Sequence, residues 1–504
     1  MSVIRNISFF LVAMVFAKGV GFLQSFVLAK ALGPTNFGLW VTVLLIAAYS
    51  PIICLGTVET MLKEVPYYLG RSDLQRVHEV ESGVLGSIVL AALILVAIGL
   101  TSLLVLPSNF LGIGPLLLFL VFITIAISTF TAYFYWRFAA YENFKAVAAL
   151  DVSRSILAFL FIGGMAWIWG LRGAVVGYLL HEAGVCLPAI WLNVRAHGPA
   201  SVSFRADSIL HAIRVGFPIT LVWWVLTLQA SVDRVVLGSL SGALAVGYYG
   251  LGISLTSVLG LVPSVVGRVL YPKVNRRCGE EADADSMKSI VLAPTLALGA
   301  MLANLQLMVL ISMPFIYNHL LPKYQPGLRA AEILLLGSFF VCLLRNGVNY
   351  LIATHKERRF LKYLCVTLVF NIVADVSLVK AGWGLQGVAI GTSLAGLLLS
   401  TLVWRRVLID LGCAQSEVWF KLLGLYLPVA ILSGAVLCIG LVYGHFLREY
   451  NAVSIALGMA LLIGLNGLLF LSPIYRAELP EWRRLLLRVV RPIWKPLPVA
   501  EVLP

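Results

Sequence analysis

Apolar residues fill this chain in blocks of about 20 or more, separated by short polar joints, nearly from end to end. A block of that length crosses about 30 Å of hydrocarbon as a helix. Strands of about ten residues with alternating character, the mark of a membrane barrel, are missing. The pattern predicts helices at about 7–32, 37–62, 83–106, 115–136, 146–169 and 173–194. A second set falls at about 213–240, 246–270, 289–316, 330–353, 361–379 and 383–404, and a final pair at about 422–443 and 452–474. The expected class is an all-α polytopic membrane protein of about 14 transmembrane helices.

One stretch repeats. Moved back by roughly 209 positions, Ser231–Tyr249 lays Val236 on Val27, Leu237 on Leu28, Gly242 on Gly33 and Gly247 on Gly38. Tyr248-Tyr249 lands on Leu39-Trp40, and Asp233-Arg234 on Gln24-Ser25. That spacing is the length of six helices with their loops. It predicts two pseudo-symmetric six-helix lobes, 1–203 and 204–410, around a central cavity. An extra helix pair would occupy 411–475 and a basic cytoplasmic tail 476–504.

Composition agrees with lipid as the solvent: 60% of residues are hydrophobic and 12% charged, against about 25% charged in soluble domains. The net charge of +14 therefore reads as loop charge that orients the chain, and nucleic acid is not an expected partner. With the N-terminus placed inside, about 27 of the 37 Lys and Arg lie in inside loops and tails and six at outside ends. Both termini are then cytoplasmic. Arg5 before an apolar run resembles a signal peptide, but Lys18 interrupts the run, and an uncleaved first helix is expected. The seven cysteines (Cys54, Cys186, Cys278, Cys342, Cys365, Cys413 and Cys438) form no C-x-x-C and read as small core residues. No histidines pair at i, i+4, and no metal or cofactor is expected. Phe204–Val215 has the spacing of an amphipathic linker on the membrane surface, and Trp482–Trp494 reads as an interfacial segment rich in Arg.

The costly residues are the charges inside spans. Each Lys, Arg or Asp at a helix centre costs about 2.5–3.5 kcal/mol on the insertion scale. Lys18, Glu59, Asp151, Arg154, Asp233, Arg234 and Arg345 are central, with Asp375 and His181-Glu182 less so. Such groups face an internal cavity or one another. Asp151 and Arg154 are three apart on one helix face, so a local ion pair and a cavity position are both open. Asp233 and Arg234, being adjacent, are not expected to face each other, and Lys18 is a candidate partner for Asp233. Arg345 stands beside Asn346 and Asn349 in a polar stripe. Lys18, Arg234, Arg345 and Arg154 are the expected ligand-facing cations; Asp233, Glu59 and Asp151 are candidates for ion coupling or charge pairing. A cavity biased to bases attracts anions, and Arg suits phosphate. No phosphate loop or dinucleotide fingerprint is present, so the anion is cargo and not fuel.

Lys30-Ala31-Leu32-Gly33-Pro34-Thr35-Asn36-Phe37-Gly38 resembles the first-helix signature of the Wzx-type polysaccharide/O-antigen flippases of the multidrug/oligosaccharidyl-lipid/polysaccharide (MOP) exporter superfamily. Asp233-Arg234-Val235-Val236-Leu237-Gly238 followed by Val246-Gly247-Tyr248 is similar to its seventh-helix signature, and Lys63-Glu64-Val65 also fits. The resemblance implies a transporter and no enzyme. It implies passage of a polyprenyl-pyrophosphate-linked oligosaccharide from the inner to the outer leaflet of a bacterial cytoplasmic membrane. Membrane lipids and polysaccharide-assembly proteins are the partners it implies. Around Phe16-Ala17-Lys18 and Gly21-Phe22 the chain also resembles lipid II flippases, although Gln24 stands where those carry an arginine. The acid that often precedes Leu-Gly in the second helix is Cys54 here, and its role would fall to Glu59. A multidrug or cation antiporter of the same superfamily and a membrane glycosyltransferase or polymerase are the rival classes. The first wants unpaired acids in the cavity; the second wants a large outside loop.

Overall fold

In lipid a backbone satisfies its own N–H and C=O groups only as a helix or a closed barrel. Among the described residues the chain is helical, with no strand. The structure, a computed structural model, describes residues 2–107, 112–264 and 284–443, with isolated positions at 266, 267, 270, 274, 277, 458, 460, 464, 466 and 467. The predicted span 452–474 apart from those positions, the tail 476–504 with Trp482–Trp494, and the side chains of Cys278 and Cys438 lie outside the described residues.

The helices are α1 (Ser2–Tyr49), α2 (Thr57–Gly70), α3 (Leu74–Val105), α4 (Pro115–Ala140), α5 (Phe144–Leu157), α6 (Gly164–His197), α7 (Ala206–Gln229) and α8 (Val232–Thr256). After them come α9 (Ala284–Phe315), α10 (Leu328–Ala353), α11 (Glu357–Leu378), α12 (Gly384–Asp410) and α13 (Gln415–Tyr443). Among the described residues ten helical stretches are long and apolar enough to cross a membrane. Two of these, Phe144–His197 and Glu357–Asp410, have 54 residues each, or about 80 Å if straight. Each folds back at a glycine instead: Gly170 has φ 61° and ψ −138°, Gly384 φ 49° and ψ −127°. A π turn precedes each bend, at Ala158–Gly163 and Val379–Trp383.

The described residues gather into two compact units. The first lies within Met1–Leu261, Ile316–Leu334 and Leu364–Ala395, the second within Val262–Phe315, Leu335–Tyr363 and Gly396–Pro504. The first unit thus carries helices from both sides of residue 203. Its core includes Met61, Val65, Ile88, Tyr133 and Phe138, all nearly inaccessible. A buried ion pair crosses it: Arg137 Nε donates to Glu81 Oε1 at 3.0 Å and a terminal nitrogen to Oε2 at 2.9 Å. The residues expected to form a surface linker begin as extended chain, tied down by Ser203 N–H donating to the Ser82 carbonyl at 3.0 Å, and enter α7 at Ala206. In the second unit α9 packs on α13. There Asp410 accepts from Arg406 and Lys356, at 2.5 and 2.8 Å.

The repeat is visible in the packing of α1 on α8. Both helices bend at equivalent glycines, Gly33 (φ 67°, ψ 171°) and Gly242 (φ 79°, ψ 178°). Just beyond, a side chain on Gly38 would strike the Ala243 carbonyl, and one on Gly247 would strike the Pro34 carbonyl. Gly38 matches Gly247 and Pro34 matches Ala243 under the same shift, so the crossing is a two-fold contact between repeats. Only glycine permits backbones this close.

Candidate functional site

The span expected as continuous over 213–240 is broken. α7 stops at Gln229 and α8 starts at Val232, with Ser231 at φ −137° between them. Side chains hold the break: the Ser231 hydroxyl meets that of Tyr49, and the Arg234 guanidinium donates to the Ala230 carbonyl at the end of α7. Asp233 sits in the first turn of α8 and accepts from the Arg234 N–H at 2.7 Å. A cation on the carboxyl end of one helix and an anion on the amino end of the next each oppose the local helix dipole. The expectation that Asp233 and Arg234 do not face each other is corrected here, since Arg234 Nε lies 3.5 Å from Asp233 Oδ1. Adjacent residues diverge within a helix, but at a helix start both side chains fold back over the break.

Beneath this break lies a buried polar cluster. Asp233 is 4% exposed, and Asp375 and Asn371, one turn apart on α11, are fully buried. The Tyr249 hydroxyl shares a 3.2 Å hydrogen bond with Thr392 on α12 and interacts with both Asp233 and Asp375. Asp375 in turn feels the charge of Asp233. Neither oxygen of Asp375 and neither polar atom of the Asn371 amide has a hydrogen-bond partner. An uncompensated buried carboxylate costs several kcal/mol. Gly391 makes the room: a Cβ added there would lie 3.3 Å from the Asp375 Cγ and closer still to its carboxylate oxygen. The donors are oxygens of two carboxylates, an amide and two hydroxyls, a hard set that suits an alkali cation or a proton and not a soft metal. Beside a broken helix such groups commonly hold a coupling ion. Among the described residues no group of three His, Cys, Asp or Glu is placed to hold a metal.

This cluster has an apolar twin. Trp169-Gly170-Leu171-Arg172-Gly173-Ala174-Val175-Val176-Gly177 repeats as Trp383-Gly384-Leu385-Gln386-Gly387-Val388-Ala389-Ile390-Gly391. In the first copy Gly177 abuts the Phe161 carbonyl, where Gly391 abuts Asp375. Trp40 meets the Tyr178 ring at 5.9 Å, where Tyr249 meets Thr392. Gln24, Leu157 and Phe161 stand where Asp233, Asn371 and Asp375 stand. Only one half of the repeat carries the acids of this cluster.

The remaining predicted residues are dispersed. Lys18 is exposed on α1 and pairs with no carboxylate among the described residues, Asp233 included. Arg154 on α5 is 3.4 Å from Glu182 on α6, and Asp151 accepts from the Tyr135 hydroxyl at 3.3 Å. Glu59 is half-buried in the first turn of α2, just after a break at Ser50–Cys54. Arg345, in the second unit, is exposed and donates to Ser264 Oγ at 3.3 Å. Sequence reasoning singled out the cations because a lone charge in an apolar block is conspicuous. It passed over Asn371, Tyr249 and Thr392, which hydropathy does not mark. The repeated Trp-Gly-Leu-x-Gly motif was the signal available for them.

Solved structures share this architecture. The lipid II flippase MurJ in an inward-closed conformation aligns with a TM-score of 0.69 at 14% identity, over 92% of this chain and 98% of that one. An inward-facing MATE family multidrug resistance transporter of the MOP superfamily gives 0.63 at 14%, over 78% and 94%. A MOP superfamily transporter from Pyrococcus furiosus, described by the reverse polarity of its binding pocket, gives 0.52 at 16%, over 81% and 97%. The fold is that of the MOP superfamily transporters. The chain itself belongs to the polysaccharide biosynthesis protein family, whose model matches residues 3–276. Comparison with curated proteins finds no match.

Proposed function

We propose that this protein is a cation-coupled flippase that carries a polyprenyl-pyrophosphate-linked oligosaccharide from the inner to the outer leaflet of a bacterial cytoplasmic membrane, with both termini inside. The observation that carries the reading is the coexistence, in a chain of the polysaccharide biosynthesis family, of membrane-embedded basic groups and an orphaned acidic cluster. Lys18, with no carboxylate partner among the described residues, is the first contact for pyrophosphate. Arg154 and Arg345, both with exposed guanidinium groups, extend the basic set, while Arg234 holds the α7–α8 break. The lobes 1–203 and 204–410 alternate in access while the polyprenyl chain stays in lipid. The helix break at Asp233 and the cluster at Asn371, Asp375, Tyr249 and Thr392 bind the cation. Charge neutralisation there alters the polarity of the α7–α8 break and so biases one state over the other. Glu59 and Asp151 are second-rank candidates for coupling. Carrying two negative charges outward across an inside-negative membrane releases about 4–5 kcal/mol per 100 mV.

The test is leaflet exchange of a labelled polyprenyl-pyrophosphate glycan in proteoliposomes. Lys18→Ala is expected to slow exchange at least tenfold, and Arg234→Ala to slow it through loss of the break. Exchange at wild-type rate in both variants would remove the anion-cavity reading.

A further inference from the structure

A second buried titratable group lies in the half of the repeat that lacks counterparts of Asp233 and Asp375, and the cation site leaves it unused. Glu182 and His181, both 4% exposed, sit side by side on α6. His181 Nε2–H donates to the Arg154 carbonyl at 3.1 Å. A carbonyl only accepts, so in the neutral ring the proton is on Nε2 and Nδ1 presents a lone pair. That Nδ1 has no hydrogen-bond partner and faces Glu182 Oε1 across 3.7 Å. Two acceptors thus oppose each other inside an apolar span. One proton on either would turn the repulsion into a bond.

The cation beside Glu182 in this structure is Arg154. Its guanidinium is 3.4 Å from Oε2, in a single end-on contact and not a fork, and its side chain is 44% exposed while that of Glu182 is 6%. The contact is therefore weak in geometry, and its cationic partner is open on one side to anything that enters. The other titratable groups reaching Glu182 are Tyr178 and Cys186 on α6, and α4 adds the hydroxyl of Thr131. Tyr178 is held in turn by the α1 ring of Trp40. Among these groups only Arg154 supplies positive charge.

We propose that an anionic cargo group draws Arg154 off Glu182 and that the His181–Glu182 pair then takes up one proton, which it returns when the cargo leaves. The cargo chemistry is a phosphate or pyrophosphate ester, which a guanidinium fork binds better than one carboxylate oxygen does. The inference rests on the anion-cargo reading above and deepens it. It supplies a proton linked to substrate in one half of the repeat, separate from the cation cluster in the other.

The experiment uses full-length protein in detergent, in sodium-free medium, with geranyl pyrophosphate as the probe. Binding is followed by calorimetry, proton uptake by an indicator dye in weak buffer, and carboxyl protonation by infrared difference spectroscopy. Wild type is expected to bind the probe, take up about one proton per site and show a new protonated-carboxyl band. Glu182→Gln is expected to bind about three- to tenfold tighter, with the competing anion gone, and to take up no proton. Glu79→Gln, at an exposed carboxylate on α3 outside both sites, is expected to keep the uptake. Binding by wild type without proton uptake, or uptake undiminished in Glu182→Gln, overturns the proposal and leaves the cargo reading intact. Absence of probe binding by wild type overturns the cargo reading and this proposal together. The wild-type measurement stands even if a variant folds poorly.

Discussion

Replacing Asp375 by Asn isolates the cation cluster with little change of shape. Asparagine has the outline of aspartate, so it occupies the same space beside Gly391 and removes only the charge. In wild type the carboxyl is fully buried and both oxygens lack partners, so a cation that binds there stabilises the fold by RT ln(1 + [L]/Kd), about 2.7 kcal/mol at one hundred times Kd. Detergent-solubilised wild type is therefore expected to unfold at a higher temperature as sodium replaces choline at constant ionic strength, up to about 3 kcal/mol of added stability. The Asn variant should show no sodium response. In sodium-free buffer it should equal or exceed wild type, because an uncompensated buried charge is gone. If the site takes a proton and not sodium, wild type will respond to pH alone and the variant to neither. Equal sodium responses in the two proteins would refute the assignment of this cluster.

Other perturbations test the scaffold. Arg137→Met strands Glu81 inside the first unit and is expected to cost about 3–5 kcal/mol by denaturant titration, while Met at both positions should recover most of it. Gly38→Ala or Gly247→Ala drives a methyl into a facing carbonyl and should cost about 1–3 kcal/mol. Gly19→Ala, with nothing within 4 Å, should fall within about 0.5 kcal/mol by the same thermal-shift measurement. Gly391→Ala is expected to abolish the sodium response while leaving probe binding unchanged, since its methyl would intrude on the Asp375 carboxylate.

The helical class and most span positions were legible because lipid enforces a simple rule on run length. The shift of roughly 209 positions matched Gly33 to Gly242 and Gly38 to Gly247, but it did not reveal that Gly38 and Gly247 meet in the α1–α8 crossing. The break before Asp233 was not legible. Leu226-Thr227-Leu228-Gln229-Ala230-Ser231 contains neither proline nor glycine, and the break depends on Tyr49 and Arg234 reaching it from elsewhere. Pairings were the least readable quantity: Arg154 has an acid three residues before it, yet it reaches Glu182, 28 positions along. Which charge meets which is decided by how the hairpin at Gly170 closes, and no local pattern encodes that.

The acids of only one repeat copy bear on the energetics of a working cycle. A carrier with a single monovalent ion well exchanges one charge per turn. Through that ion, 100 mV delivers about 2.3 kcal/mol, equivalent to about fiftyfold in concentration ratio. Had Phe161 and Leu157 kept acid and amide like their counterparts, the same voltage would drive a square of that ratio. On the cation-coupled reading proposed above, the duplicated chain, with one pocket gone greasy, gears a turn to one cation, and any further charge enters only with the proton at His181–Glu182.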